Sequence, residues 1–169
     1  MDYIKAGKDE GAKIETGGER LGKEGYFIQP TVFTNVDEKM KIMQEEIFGP
    51  VVAIGKFKDV EDVLTKAHDT FYGLAASVHT KNLNTAIEVS NRLQAGSVWV
   101  NCHNFLSHQL PFGGFKQSGI GRELGYFVSS DDLLMGLESM RLPIIQISRL
   151  FISILPLTLL SNLDVVAWV

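Results

Sequence analysis

Two stretches gather the residue types that do chemistry: residues 44–52, QEEIFGPVV, and residues 99–125, WVNCHNFLSHQLPFGGFKQSGIGRELG. In the first, Glu45 and Glu46 are adjacent. Carboxylates at i and i+1 do not share a helix face, so they do not form a two-carboxylate acid–base pair. A carboxylate followed by an aromatic ring, as in Glu46 and Phe48, offers a different chemistry. The acid can accept hydrogen bonds from sugar hydroxyls while the ring packs on a flat heterocycle. The structural alternative is a solvated helix end beside a core phenylalanine.

The second stretch holds Cys102 with His103 and His108 close in sequence. A thiol and an imidazole can form a nucleophile and its base. A lone cysteine at a strand end is more often an inert packed thiol. The three as metal ligands are not expected, because adjacent side chains diverge and a fourth ligand is missing. Five glycines follow, at 113, 114, 119, 121 and 125. GGFKQSG lacks the Gly-Lys-Ser/Thr end of a phosphate loop, and the last three glycines miss the dinucleotide spacing by one residue. A tight loop with unusual backbone dihedrals accounts for them.

These residues need elements to position them. Strands are predicted at 51–57, 74–79 and 97–101, starting 23 residues apart each time. Asp59 caps an intervening helix with Val60, Val63, Leu64, Ala67 and Phe71 at helical spacing. Asn82 caps a second, with Leu83, Ala86, Ile87, Val89 and Leu93 inward and Gly96 suited to its C′ position. The fold class is α/β, a parallel β-α-β-α-β sheet with right-handed crossovers, covered on both faces. Ligands bind such sheets past the carboxyl ends of strands, which points to the segment after Asn101. Upstream, residues 1–29 read as polar and Gly-rich, with a short strand in GAKIETGG. A strand is expected at 31–36. A helix over 38–47, with Met40, Ile42, Met43 and Ile47 apolar, is stopped by Gly49-Pro50.

The 169 residues suit about one domain, since domains typically run ~100–200 residues. With 45% apolar and 21% charged residues, disordered and collagen-like chains are excluded. A net charge of −4 shows no basic field for nucleic acid, and one cysteine excludes an intramolecular disulfide. The N-terminus lacks an apolar signal region and is too acidic for a transit peptide, so a cytoplasmic location is expected. The far end differs: of residues 142–169 only Arg149 and Asp164 are charged, and 18 of the 28 are apolar. Its uncharged run 150–163 has 14 residues, against the roughly 20 of a spanning helix, and contains Pro156. It reads as a buried or poorly folded apolar end rather than a membrane anchor.

In order along the chain, EEIFGPV, FYGLAASVHT, AGSVWVNC and PFGGFKQSGIGRELG resemble the C-terminal part of the NAD(P)-dependent aldehyde dehydrogenases. They are most similar to the tetrameric class acting on small aliphatic and retinal-like aldehydes. The resemblance runs over about residues 3–125. It implies that 1–125 is the C-terminal part of the catalytic domain, followed by a divergent apolar tail at 126–169. By resemblance, Glu46 binds the nicotinamide ribose hydroxyls and Phe48 packs by the nicotinamide. Cys102, Leu106 and Phe112 line the substrate tunnel, where many relatives carry an aromatic ring at the Leu106 position. Cys102 aligns with a position that is not the nucleophile. The family's nucleophilic cysteine follows a Gly-Gln segment, and its base is a glutamate in an ELGGK segment. Neither segment occurs in these 169 residues, nor does the Rossmann domain, so no catalytic residue is assigned. Where relatives end in strands of the form TEVKTV that build the oligomerisation region, this chain reads YFVSSDDLLMGLESMRLPII. A frameshift, retained intron or gene-model error is the expected source of that departure. The resemblance implies an oxidoreductase that turns aldehydes into carboxylic acids with NAD or NADP, with this segment inactive alone. Homologous subunits are the expected partners, with no nucleic acid or membrane. The alternative is a non-catalytic remnant that pairs with full-length subunits.

Overall fold

The structure, a computed structural model, describes residues 1–125 and two short strands beyond them, Ile144–Ile145 and Val165–Trp168. The remaining expectations for residues 126–169, anchor or buried end, lie outside the described residues. The chain divides into two compact units, Met1–Lys58 and Asp59–Val169.

The first unit contains α1 (Asp2–Asp9), β1 (Lys13–Thr16), β2 (Thr31–Thr34), α2 (Lys41–Gln44) and β3 (Val51–Ala53). The sheet order is β1-β2-β3, with β1 antiparallel and β3 parallel to β2. Phe33 is fully buried at the centre, with Ile4 from α1 and Ile42 from α2 packed around it. The polar, Gly-rich composition of the first 29 residues conceals α1. Ile4 and Gly7 sit three apart on one helix face, and both are buried. A Cβ at Gly7 would lie 3.0 Å from Phe33 and Ile42 side chains, so the glycine lets the helix approach. The helix expected over 38–47 contracts to the four residues of α2. The chain leaves it in extended conformation at Glu45, which frees Ile47 to join the core.

The second unit contains α3 (Val60–His68), β4 (Ala75–His79), α4 (Leu83–Arg92), β5 (Ser97–Val100), a 3₁₀ turn (Lys116–Ser118), β6 (Ile144–Ile145) and β7 (Val165–Trp168). Its sheet order is β6-β5-β4-β7. β4 and β5 are parallel, in register from Ala75↔Ser97 to Val78↔Val100. Both predicted caps form. The Asp59 carboxylate accepts from the Asp62 N–H at 2.9 Å. The Asn82 amide oxygen accepts from the Asn84 and Thr85 N–H groups at 2.9 and 3.3 Å. Alternate strand residues Ala76, Val78, Val98 and Val100 are buried in one cluster with Leu64, Ala67, Val89 and Leu93 of the helices. Each such Val or Leu side chain contributes about 1.5–3 kcal/mol on burial.

The α/β class holds, and the β4-α4-β5 crossover is parallel as expected. The strand at 51 differs: it pairs with β2, through Thr31↔Val51 and Val32↔Val52, in the first unit's sheet. Equal spacing of strand starts cannot select a neighbour. Here β2 offers a β-branched and aromatic strand whose first N–H, at Thr31, donates to the Pro50 carbonyl at 2.8 Å. Three apolar positions expected inward face solvent: Phe71 is 66% exposed, Leu83 65% and Ile87 46%. α3 ends at His68, before Phe71. α4 instead turns Ala86, Val89 and Ser90 inward. Gly96 is not a helix cap either, since α4 ends in an extended Leu93. A Cβ at Gly96 would stand 1.7 Å from the Gly113 carbonyl oxygen, so close backbone approach is what requires glycine there.

Candidate functional site

In the segment between α2 and β3, Ile47 is the one partly buried residue. The Glu45 carboxylate accepts from the Tyr3 hydroxyl at 2.8 Å and lies 3.8 Å from the Lys41 ammonium. Ile47 packs against the Ile4–Phe33–Ile42 core. Between and after these anchors, Glu46 is exposed and Phe48 is 90% exposed. The segment is held from below. The Gly49 N–H donates to the Ile47 carbonyl at 2.9 Å, and the Val51 N–H donates to the Gly49 carbonyl at 2.8 Å. A carboxylate and a phenyl ring are thus presented two residues apart on an anchored segment, with Glu45 tied down as their support. A phenylalanine left in water forgoes about 1.5–3 kcal/mol that burial would return. An exposed carboxylate can accept hydrogen bonds from hydroxyl donors, and an exposed phenyl ring can pack on a flat ring.

The chain leaves β5 through Asn101, which adopts a left-handed conformation with φ 56°. Its side-chain oxygen accepts from the Thr80 N–H at 2.9 Å, and its own N–H donates to the Val78 carbonyl at 2.8 Å. Asparagine tolerates this region because its short polar side chain bonds locally. Cys102 is 4% exposed and packs with Ala75 and Trp99. Trp99 donates from its indole nitrogen to the Phe105 carbonyl at 2.8 Å and meets the His103 ring edge-on at 5.3 Å. Leu106 is 52% exposed, and Phe112 is half-buried and bridged to Glu123 by two backbone hydrogen bonds of 2.7 and 2.9 Å. Of the three expected tunnel residues, then, Leu106 and Phe112 offer surface and Cys102 does not. Burial, with the neighbouring His103 charge second, pushes the His79 imidazole below its ordinary pKa. Among the described residues no group of three or more His, Cys, Asp or Glu side chains could hold a metal.

Residues 111–125 are stapled to the start of β4 by groups that spacing did not single out. The Gly73 carbonyl accepts from the Gly96 and Phe115 N–H groups at 3.0 and 2.8 Å, and the Gly73 N–H donates to the Ser118 hydroxyl at 3.0 Å. Lys116 donates to the carbonyls of His68, the last residue of α3, and Thr70, just past it, at 2.9 and 3.2 Å. Arg122 donates to the Gly114 carbonyl at 2.7 Å and lies 5.3 Å from the Phe115 ring centre. Four of the five glycines divide by cause; Gly121 has neither a positive φ nor a neighbour within 4 Å of an added Cβ. Gly119 and Gly125 have positive φ. Gly113 and Gly114 are needed for contact, since a Cβ would stand 2.3 Å from the Gly121 oxygen and 2.6 Å from the Ser118 Cβ. The signal in sequence was the Gly-Gly pair itself, whose partner at Gly96 only the fold reveals.

Fold and site together define an α/β protein whose candidate binding residues stand on loops beside parallel strands. The chain belongs to the aldehyde dehydrogenase family, whose model matches residues 1–131. Over 125 residues it is 67% identical to an aldehyde dehydrogenase of Davidiella tassiana, which covers 74% of this chain and 25% of that protein. Among solved structures it resembles an aldehyde dehydrogenase variant from Bacillus cereus, at 52% identity and a TM-score of 0.72, over 75% of this chain and 26% of that one. It also resembles a variant of the indole-3-acetaldehyde dehydrogenase AldA of P. syringae, solved with NAD+ and IAA. There the identity is 46% and the TM-score 0.72, over 74% of this chain and 26% of that one. The chain thus spans about a quarter of the length of the relatives it matches.

Proposed function

We propose that these residues form the cofactor-facing and tunnel-facing part of an enzyme that oxidises aldehydes to carboxylic acids, with NAD or NADP as hydride acceptor. What supports this reading is the exposed Phe48 two residues from the exposed Glu46, on a segment where Glu45 is hydrogen-bonded and Ile47 is packed on the core. Glu46 would hold the ribose hydroxyls of the cofactor, and Phe48 would wall one face of the nicotinamide. When bound, the cofactor supplies the hydride acceptor. Leu106 and Phe112 would shape the path of the aldehyde, with Cys102 supporting that loop from beneath. The family's thiol nucleophile and water-activating glutamate have no counterpart in these 169 residues. The segment therefore contributes binding and positioning rather than bond making. A cytoplasmic location and homologous subunits as partners belong to the same proposal.

The test places residues 44–52 in a complete aldehyde dehydrogenase of the same class. Cofactor affinity and the hydride-transfer step are then compared for Glu46→Gln and Phe48→Ala. Loss in either supports the reading; unchanged affinity and hydride transfer in both overturn it. A second reading, a non-catalytic subunit-pairing remnant, is favoured by one feature. The hairpin closed by the Arg20↔Ile28 bridge presents Leu21, Tyr26 and Phe27, at 56%, 99% and 65% exposure. Co-purification with a full-length relative, lost on changing Tyr26 and Phe27 to serine, would favour it.

A further inference from the structure

Trp99 lies within β5, opposite Ser77 of β4 in the parallel register, and is 2% exposed. An indole N–H can only donate, and a buried one needs an acceptor. Trp99 finds its acceptor off its own strand. The N–H donates to the Phe105 carbonyl, six residues ahead, at 2.8 Å. The His103 ring meets the same indole edge-on at 5.3 Å, and Cys102 packs in one cluster with it. A rigid ring on a paired strand thus touches the loop at 102, 103 and 105.

Backbone pairing does not hold this stretch. Asn101 turns the chain out of β5, its N–H donating to the Val78 carbonyl, and the next turn closes where the Leu110 N–H donates to the Ser107 carbonyl. Among the described residues, no backbone N–H from 102 to 106 donates to a backbone carbonyl. The indole bond falls inside that stretch, on the residue before Leu106. Leu106 is 52% exposed, so its place is set by the backbone at Phe105 more than by packing. Moving the loop away would strand the indole N–H in the interior, and an unpaired buried donor is costly. That cost keeps the loop where it is.

We propose that Trp99 is a positioning residue for aldehyde selectivity. Its indole N–H pins the Phe105 carbonyl and so fixes Leu106 as a wall for the aliphatic chain of the substrate. This rests on the reading of Leu106 as a tunnel residue given above. An apolar site separates substrates that differ by a methylene or two only while its wall stays in place. A wall free to shift fits several chain lengths alike.

The test uses a complete aldehyde dehydrogenase of the same class carrying residues 97–112 of this chain. Position 99 receives benzothienylalanine, which has the shape of tryptophan with sulfur in place of the N–H, and Trp99→Phe is made beside it. kcat/KM is measured for straight-chain aldehydes from acetaldehyde to decanal, together with the cofactor KM. Removal of the donor should flatten the preference among chain lengths roughly fivefold or more, the scale of one lost hydrogen bond, and leave the cofactor KM unchanged. A merely structural role would lower kcat/KM for every aldehyde alike. That result, or an unchanged series, overturns the proposal. If Trp99→Phe does not fold, the benzothienylalanine enzyme decides, because it keeps the packing. Leu106→Phe in the same host separates the two readings. If it shifts the series and loss of the donor does not, the pinning role of Trp99 fails alone. If it leaves the series unchanged, the tunnel reading fails and takes this proposal with it.

Discussion

Glu46 and Phe48 stand where activity and stability separate. Both are exposed, so their replacement removes little packing. In a complete host enzyme carrying residues 44–52, Phe48→Ala should change unfolding free energy by no more than about 0.5 kcal/mol. Glu46→Gln should weaken cofactor binding roughly tenfold or more, because hydrogen bonds to a charged group are worth about 1.5–3 kcal/mol. Cofactor titration and stopped-flow detection of reduced nicotinamide read the binding and hydride steps; chemical denaturation reads the stability. Gly96 presents the opposite case. It makes no chemistry, yet a methyl group there would stand 1.7 Å from the Gly113 oxygen. Gly96→Ala should cost several kcal/mol, in the range above about 4 that signals a specific steric failure. A urea midpoint equal to that of the unsubstituted chain would show that the contact relaxes freely.

At the scale of elements, the two capped helices of the second unit were legible because their signals are local. Asp59 and Asn82 each bond N–H groups two or three residues ahead, a contact that depends on nothing distant. Asp59→Ala and Asn82→Ala should each lower stability by about 1 kcal/mol, read as a shift in urea midpoint at unchanged slope. The short α1 and the contraction of α2 were not legible, because both follow from packing on Phe33, which lies far along the chain from α1. β4 ends in His79, whose imidazole is held below its ordinary pKa by burial and by His103. The unfolded chain therefore binds a proton more readily than the folded one. Stability should be highest above the ordinary imidazole range, near pH 6.5, and fall as pH drops through it, levelling off once the folded form titrates. Thermal unfolding followed from pH 7.5 to 5.5 should show this slope, and His79→Gln should flatten it. An identical slope in the variant would place the pH dependence elsewhere.

For the whole molecule, family membership and activity are separate matters. On the reading proposed above, the matched segment supplies binding loops and leaves bond making to residues outside it. The 169-residue chain incubated with an aldehyde and NAD+ should form no NADH above background. Removing a nucleophile and its partners costs on the order of a millionfold in rate, as measured for subtilisin. Ordinary turnover that disappears on Cys102→Ala would overturn this and would promote Cys102 from packed thiol to nucleophile.

Local chemistry and ordered motifs were enough to read the α/β class, both helix caps, the β4-α4-β5 crossover and the family. Each is set by residues close together in the chain or by runs long enough to be distinctive. Tertiary structure decided the rest. It assigned the strand at 51 to β2, because pairing depends on which edge is free and not on spacing. It buried Cys102 against Trp99 and turned Phe48 outward, although both lie in equally familiar motifs. It also gave Gly96 its reason, a backbone oxygen brought from residue 113. Burial and close approach are properties of neighbours in space, and residues 17 positions apart become neighbours only when the sheet and its loop have formed.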